Sequence, residues 1–217
     1  EFRRVLFRSL GYSYLLANEI KELESDDIEK FSNNIYTTAK KIFQLLENLL
    51  QWSKLQSGSA DFTIEEVDLT ETIKIVIELL ELNATNKRIT LINNIEGKNI
   101  ITTDKNMIFS IVQNLISNAI KFTNIGGRVI INSFVDEKFI TIQIEDNGVG
   151  MGKEILSELF KVGSKVRSLG TKQEEGNGLG LILSKEMIEL NGGKLWAESE
   201  KGIGSKFYFS VPKIKST

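Results

Sequence analysis

The 217-residue chain contains no cysteine and no histidine. Without cysteine, disulfides and thiolate metal sites are excluded, which fits a reducing cytoplasm. Without cysteine and histidine together, a structural zinc site lacks its usual ligands. No apolar run approaches the ~20 residues that a membrane helix needs. We therefore expect this fragment to lie in the cytoplasm without membrane contact, and any inner-membrane anchor to lie elsewhere in the parent protein.

A strong excess of charge of either sign is also lacking. The chain has 27 Lys and Arg against 29 Asp and Glu, a formal net charge of -2. This balance gives no reason to expect a nucleic acid or an acidic membrane surface as a partner. The hydrophobic fraction of 41% is sufficient for a packed core, and the length suggests one or two domains.

The first nine residues, Glu1 to Ser9, resemble an in-frame translation of a common sequencing-library adapter. We therefore leave residues 1–9 out of the fold prediction, as one leaves out tags and fusion scars. The adapter interpretation implies that the natural chain is cut off upstream of Leu10. The alternative is a genuine amphipathic start.

Residues 10–58 predict a helical hairpin. Its helices are Leu10–Glu24 and Ile28 to about Ser57, with N-caps offered by the residues at 25–27. Apolar residues recur along the second helix at alternating spacings of three and four: Ile28, Phe31, Ile35, Thr38, Ile42, Leu45, Leu49 and Trp52. A hairpin cannot bury such a heptad seam by itself, whereas a homodimeric four-helix bundle can. The alternative is a hairpin that packs on its own globular domain.

The remaining chain is predicted to be a connector at 59–69, an α/β domain at 70–213 and a tail at 214–217. The predicted helices are Leu69–Leu82 (entered through Thr70), Asp104–Phe122 (capped by Asp104), 152–159 and Leu179–Leu190. The predicted strands are Arg88–Ile95, Ile100–Thr103, Arg128–Val135, Phe139–Glu145, Lys194–Ser199 and Ser205–Val211. The polar, glycine-punctuated stretch Val162–Gly176 predicts a mobile loop. The fold class is therefore α+β, a helical hairpin followed by an α/β two-layer sandwich with helices on one face of a sheet.

Three polar residues share one face of the helix predicted at 104–122. Asn114, Asn118 and Lys121 are spaced i, i+4 and i+7. A carboxamide oxygen is a suitable hard ligand for Mg²⁺, and a lysine can meet phosphate as a point charge. The alternative is an amphipathic helix whose polar face is simply solvated.

Asp146 follows a predicted strand and is itself followed by Gly148 and Gly150. A carboxylate only accepts hydrogen bonds, which matches the exocyclic amine of adenine, and glycines let the backbone approach a planar base. Alone, an Asp-Asn-Gly sequence is most often just a turn.

A third glycine-rich motif, Gly176-Asn177-Gly178-Leu179-Gly180, opens a predicted helix. Backbone amides at a helix start favour phosphate. The Gly-x-Gly-x-Gly spacing after a loop differs from the dinucleotide fingerprint, and the Gly-Lys-Ser/Thr of a P-loop is absent.

In this order the three motifs resemble the N, G1 and G2 boxes of the ATP-binding domain of histidine kinases, a domain of the GHKL type. They are Asn114–Phe122, Asp146–Met151 and Gly176–Leu181. Leu159-Phe160 resembles the F box, although Val162-Gly163 stands where a second phenylalanine is often found. Gly202-x-Gly204-Ser205-x-Phe207 resembles the last glycine box, and the hairpin is similar to the dimerisation and phosphotransfer domain, so the resemblance spans Leu10 to about Pro212.

The resemblance implies an ATP and Mg²⁺ site. It assigns Mg²⁺ to Asn118, phosphate to Lys121 and adenine to Asp146, with Asn114 as a further catalytic residue. The implied ATP-binding residues are Asn118, Lys121, Phe122, Asp146, Gly148, Gly150, Met151, Lys165, Gly176, Gly178, Leu179, Gly180, Leu181 and Ser205.

The implied activity is a protein-histidine kinase of a two-component system, whose phosphoryl group passes from histidine to the aspartate of a response-regulator receiver domain. The phosphoacceptor histidine is missing from this chain, and its expected position falls at or just before residue 1. We therefore expect nucleotide binding without autophosphorylation. Related hydrolases carry a glutamate where this chain has Asn114, and a neutral amide cannot act as a general base. The first alternative is an inactive ATP-binding adaptor, and a GHKL hydrolase is less favoured. A serine-directed kinase is a third alternative, and the heptad hairpin argues against it.

Overall fold

The computed structural model describes residues 2–56, 63–161, 171 and 179–213. The chain divides into two compact units, residues 1–54 and 55–217. Among the helices that the structure describes, none combines the length and the apolar character needed to cross a membrane.

The first unit is a helical hairpin. Helix α1 spans Phe2–Asn18, a 3₁₀ turn spans Ile20–Glu22 and helix α2 spans Ser25–Gln56. Helix α1 ends six residues before the predicted Glu24, because Asn18 turns its side-chain amide back onto the Tyr14 carbonyl at 2.9 Å, a bond that competes with helix continuation.

Helix α2 begins three residues earlier than predicted. The Glu24 carbonyl accepts hydrogen bonds from the backbone amides of Asp27 and Ile28 at 3.1 Å each. The residues expected as N-caps therefore form the first turn, where the positive end of the helix dipole favours Asp26 and Asp27.

The heptad seam of α2 is half-buried up to Ile42 and exposed at Leu49. The seam positions with a described side chain up to residue 42 are all of intermediate exposure: Ile28, Phe31, Ile35, Thr38 and Ile42. Tyr12 of α1 stacks on Phe31 with ring centroids 4.7 Å apart. No side chain that the structure describes in this unit is fully buried. The side chains of Leu45 and Trp52 lie outside those described.

The second unit contains a five-stranded sheet and a two-stranded sheet. The five-stranded sheet has the order β2-β4-β5-β7-β6, and β1 pairs antiparallel with β3. The strands are β1 Ile64–Asp68, β2 Thr90–Asn93, β3 Ile100–Asp104, β4 Arg128–Val135, β5 Phe139–Asp146, β6 Lys194–Glu200 and β7 Gly204–Pro212. Among the described strand pairs of the larger sheet, β2–β4 is parallel and the others are antiparallel.

One face of the five-stranded sheet is apolar and packs against helices. Helices α3 (Leu69–Asn86), α4 (Lys105–Phe122) and α6 (Gly180–Leu190) cover it, and α5 spans Lys153–Glu158. The strands contribute alternate residues to the core: Val129, Ile131, Ile140, Ile142, Ile144, Leu195, Phe207, Phe209 and Val211. The opposite face carries polar pairs, such as Gln143 donating to the Tyr208 hydroxyl at 2.9 Å. This is the predicted α/β two-layer sandwich.

Several details of the prediction for this unit were wrong, among them the end of α3, which extends to Asn86 beyond the predicted Leu82. Strand β1 occupies part of the segment expected to be a connector, where Val67 is the buried residue. Helix α3 starts at Leu69 and is capped by Asp68, whose Oδ1 accepts from the Thr70 amide at 2.9 Å, so Thr70 is not the entry cap. Strand β2 is shorter than expected at both ends: it starts at Thr90, after Arg88 with its left-handed φ of 53°, and it ends at Asn93, whose Oδ1 accepts from the Ile95 amide at 3.1 Å. The loop predicted at 162–176 lies outside the described residues apart from Thr171.

Candidate functional site

Helix α4 presents the three polar residues of the first motif. The helix begins after Asp104, whose Oδ1 accepts from the Met107 amide at 2.9 Å, as predicted. One face packs into the core with Ile108, Ile111, Val112, Leu115, Ile116 and Ala119. Asn114, Asn118 and Lys121 are half-buried on the other side.

Asn114 connects α4 to the first turn of α6. Its Nδ2 donates to the Ser184 hydroxyl at 2.9 Å, and its Oδ1 accepts from Asn118 Nδ2 at 3.3 Å. A Cβ at Gly180 would stand 2.4 Å from Asn114 Oδ1. Glycine at 180 is therefore what allows the start of α6 to lie against this asparagine.

The end of α4 also contacts the turn that follows β5. The Val149 amide donates to the Phe122 carbonyl at 3.1 Å. A Cβ at Gly148 would stand 2.1 Å from the same carbonyl oxygen. Because that oxygen belongs to the backbone, no side chain fits at 148, and the first two motifs meet by direct backbone contact.

Asp146 is a buried carboxylate at the end of β5, 5% exposed. Its Oδ1 accepts from the Gly148 amide at 2.8 Å, and Ser205 is its cross-strand neighbour on β7. Burial raises the pKa of Asp146 from its ordinary 3.8 to about 6, against the lowering effect of hydrogen bonds from the backbone at Gly148 and Ser205. A buried carboxylate with a raised pKa is costly to keep ionised. A hydrogen bond from a ligand amine would offset part of that cost, and such a carboxylate is therefore a candidate ligand contact.

The turn at 146–151 is closed from the other side by the β6–β7 hairpin. Ser199 Oγ accepts from the Met151 amide at 2.8 Å and lies 3.0 Å from Ser205 Oγ. A Cβ at Gly204 would stand 2.0 Å from the Asp146 carbonyl oxygen, and Gly204 has φ +141°. The last glycine motif therefore packs on the backbone of the second motif.

The structure brings most of the predicted site residues together around α4. Lys121 Nζ lies 4.9 Å from the centroid of the Phe122 ring. Met151 and Leu181 are partly buried against the core. Leu179 precedes α6 and Gly180 is its first residue. Lys165, Gly176 and Gly178 lie outside the described residues, so their predicted places are not part of this geometry.

Three contributors were missed by sequence reasoning. Ser184 lies four residues after Gly180, so helical spacing could have placed it on the same face of α6. Ser199 faces Ser205 in the predicted strand pair, which pairing the two strands could have revealed. Thr171 donates its hydroxyl to the Thr123 carbonyl at 2.8 Å, and no local pattern indicates that contact.

The metal that the resemblance implies, Mg²⁺, fits the donors at α4. Because Asn118 Nδ2 donates to Asn114, the Oδ1 of Asn118 is the atom left for a cation. Mg²⁺ takes few protein oxygens and completes its shell with water and phosphate oxygens. In the part of the chain that the structure describes, no cluster of three or more acidic ligands offers a site made of protein alone. These donors are consistent with a Mg²⁺ ion that is held by the Asn118 carboxamide and by the phosphates of a nucleotide.

Residues 103–215 match the family described as histidine kinase-, DNA gyrase B-, and HSP90-like ATPase. The chain belongs to this ATPase family. The sensor histidine kinase WalK of Bacillus subtilis (strain 168) is 29% identical over 204 residues, which cover 92% of this chain and 33% of WalK. The chain spans between 8% and 42% of the length of the first curated relatives that it matches.

Solved structures show the same fold. Full-length ShkA in complex with AMPPNP has a TM-score of 0.73 and 20% identity, covering 90% of this chain and 40% of that one. The histidine kinase ThkA in complex with the response regulator protein TrrA has a TM-score of 0.73 and 21% identity, covering 98% of this chain and 59% of that one. The ATPase family and the GHKL-type sandwich predicted from the sequence are therefore confirmed.

Proposed function

We propose that this chain is the ATP-binding part of a cytoplasmic protein-histidine kinase of a two-component system. The observation that carries the proposal is the meeting of three motifs at one helix. Helix α4 contacts the 146–151 turn through the Phe122 carbonyl and the start of α6 through Asn114. Such a junction supports a single nucleotide that contacts all three segments.

Asp146 is the proposed adenine contact. Its buried carboxylate accepts a backbone hydrogen bond from Gly148 and, in the proposed complex, a further one from the exocyclic amine of the base. Gly148 and Gly150 let the turn that follows Asp146 lie against the backbone carbonyls of Phe122 and Glu200, and Ser205 lies on the neighbouring strand. The raised pKa of Asp146 reports an acceptor whose burial outweighs the hydrogen bonds that it receives.

Phosphate binding is proposed for the start of α6 and the polar face of α4. Helix α6 begins after Leu179, whose own side chain makes no capping hydrogen bond. Backbone amides at such a helix start favour phosphate. Asn118 would hold Mg²⁺ and Lys121 would add positive charge. When bound, the ion neutralises the charge of the transferring phosphoryl group.

The same geometry favours transfer over hydrolysis. The side chain at 114 is an amide engaged with Ser184 and Asn118, so it cannot take a proton from water. Phosphoryl transfer needs mainly positioning and charge neutralisation. In the proposed reaction the bond between the γ-phosphorus and ADP breaks, and a bond to an imidazole nitrogen forms.

The acceptor imidazole must come from outside the 217 residues, because the chain has no histidine. The incompletely buried heptad seam of the hairpin, exposed at Leu49, supports a homodimeric four-helix bundle. Further exposed apolar residues of α2 are Tyr36, Phe43, Leu46 and Leu50. The aspartate of a response-regulator receiver domain is the proposed second acceptor. The structural neighbour ThkA forms a complex with the response regulator protein TrrA, which supports the assignment.

The missing histidine also favours a second candidate, an ATP-binding adaptor without kinase activity. The two are separated by supplying a histidine-containing dimerisation hairpin of a related kinase together with γ-labelled ATP. Label on the hairpin that is lost with Asn118→Ala supports the kinase. ATP binding with no label on any hairpin supports the adaptor, and steady ADP release without label supports a hydrolase.

A further inference from the structure

Lys87 is a buried lysine that no motif of the nucleotide site includes. It follows the last residue of α3 and is 4% exposed. Its Nζ donates to the carbonyl of Ile120 at 2.9 Å and to the carbonyl of Lys121 at 2.8 Å. These carbonyls belong to the last turn of α4, where helix carbonyls lack intrahelical partners and a cation is favourable.

Backbone hydrogen bonds fix the position of Lys87 at the end of α3. The amides of Lys87 and Ile89 both donate to the Ala84 carbonyl, at 3.0 and 2.9 Å, and close the end of α3. Arg88 between them adopts the left-handed φ of 53°, which an L-residue other than glycine adopts only at a cost. The Lys87 carbonyl in turn accepts from the Gly126 amide at 3.0 Å, just beyond α4.

The same turn of α4 receives two segments of the candidate site. The Lys121 carbonyl accepts the Thr171 amide and hydroxyl at 3.2 Å each, in addition to Lys87. The next carbonyl, that of Phe122, accepts the Val149 amide. Lys87 and Thr171 therefore share the Lys121 carbonyl, and the carbonyl that holds the 146–151 turn is the next one along the chain.

We propose that Lys87 is a positioning residue of the nucleotide site, acting through the last turn of α4. Its ammonium group fixes the Lys121 carbonyl, and with it the docking of Thr171 and the angle at which Asn118 and Lys121 face the nucleotide. The inference rests on the proposed ATP site. If Lys87 had a merely structural role, its substitution would affect nucleotide binding no more than substitution of a buried residue of α3 does.

The test compares two variants. Lys87→Met keeps an unbranched side chain of similar length and removes the ammonium group, and Leu80→Ala is the control. Leu80 is a buried residue of α3, 6% exposed, and it has no charged group that could bond the carbonyls of α4. Its truncation to alanine lowers stability by leaving a cavity. Affinity for Mg²⁺·ATP is measured by calorimetry at a temperature where both variants are folded. We expect Lys87→Met to weaken affinity about tenfold and Leu80→Ala to leave it within about twofold.

A second measurement uses the nucleotide-free protein. Amide hydrogen exchange at Thr171 and Val149 should speed up in Lys87→Met and stay unchanged in Leu80→Ala. In a double-mutant cycle, Thr171→Val should cost less affinity in the Lys87→Met background than in the wild type. Equal exchange and equal affinity changes in Lys87→Met and Leu80→Ala would overturn the positioning role. Failure of the wild type to bind ATP would instead contradict the proposed function, and the exchange result would still decide whether Lys87 orders the contacts that Thr171 and Val149 make with α4.

Discussion

Gly180 lies directly against the side chain of Asn114, so that a Cβ on the glycine would approach Asn114 Oδ1 to 2.4 Å. These two residues belong to two different motifs that are far apart in the sequence. Their contact brings the start of α6 to the helix that carries Asn118 and Lys121. It is the contact on which the phosphate half of the proposed site depends.

Gly180→Ala should therefore impair nucleotide binding more than it impairs folding. The added methyl displaces the Asn114 amide, which is the end of a flexible side chain, and breaks its hydrogen bond to Ser184. We expect affinity for Mg²⁺·ATP to fall about tenfold while the free energy of unfolding changes by about 1 kcal/mol or less. Gly152→Ala is the matched control, because a Cβ there meets no atom within 4 Å. Equal affinity in the two variants would refute the packing role of Gly180.

Asp146→Asn should stabilise the nucleotide-free protein at neutral pH. The folded pKa is about 6 and the unfolded value 3.8, so between these pH values the folded state binds more protons and stability falls as pH rises. Above pH 6 the buried charge is fully present and costs about 2–3 kcal/mol. We expect the variant to be more stable than the wild type at pH 7.5 and the difference to shrink as pH falls from 6 to 4. Urea unfolding at several pH values measures it.

Asp136→Asn provides the control of opposite sign. Asp136 is exposed in the β4–β5 turn, and hydrogen bonds from the backbone amides of Phe139 and Lys138 hold its pKa below 3.8. Its charge contributes stability above pH 3.8 that is lost as pH falls through the lowered value. The substitution should therefore destabilise at pH 7.5. If Asp146→Asn destabilises the protein at that pH as Asp136→Asn does, the assignment of a buried, uncompensated charge to Asp146 is wrong.

Protonation of Asp146 should also weaken nucleotide binding. The ionised carboxylate is the proposed acceptor for the adenine amine, so affinity for Mg²⁺·ATP should decline as pH falls through about 6. Affinity of the Asp146→Asn variant should be low and insensitive to pH in the same range. Calorimetric titrations between pH 5 and 8 give the two profiles, and parallel profiles would show that another group controls the dependence.

Arg88→Gly should stabilise the second unit, residues 55–217. Arg88 is exposed and holds a left-handed φ of 53° at the end of α3, a conformation that glycine adopts without steric strain. Glycine loses more chain entropy on folding, so the net gain should be about 0.5–1 kcal/mol. Arg88→Ala keeps the strain and should show no comparable gain in thermal unfolding. A loss of stability in Arg88→Gly would mean that the arginine side chain makes a compensating contact.

The elements that could be predicted from the sequence are those with strong local signals. Strand β4 was predicted with its observed bounds from the alternation of polar and apolar residues. Helix α4 was predicted from the cap at Asp104 to Phe122. Both signals depend only on residues that are close together in the sequence. Strand β1 was missed, since Ile64–Asp68 is short and rich in acid and buries little besides Val67. Its strand character comes from pairing with β3, which is a tertiary interaction.

The candidate site shows the same division. Asn114, Asp146 and Gly180 could be predicted from motifs, because their chemistry is carried by residue type and spacing. The hydrogen bonds of Lys87 and Ser184 could not, because the tertiary fold decides which distant backbone or side chain each of them meets, even though helical spacing places Ser184 on the same face of α6 as Gly180. Lys87 reaches carbonyls 33 and 34 positions away, and Ser184 receives a hydrogen bond across 70 positions.

The most direct test of the account is calorimetric titration of Mg²⁺·ATP into the wild-type chain and into Asp146→Asn at pH 7.5, with ADP release followed in the same samples. The account predicts saturable one-site binding to the wild type, its loss in the variant while the fold is retained, and negligible ADP release. Wild-type protein that fails to bind ATP, or binding unaffected by Asp146→Asn, would contradict the proposed nucleotide site. Steady ADP release by the wild type would contradict the assignment of Asn114 as unable to activate water.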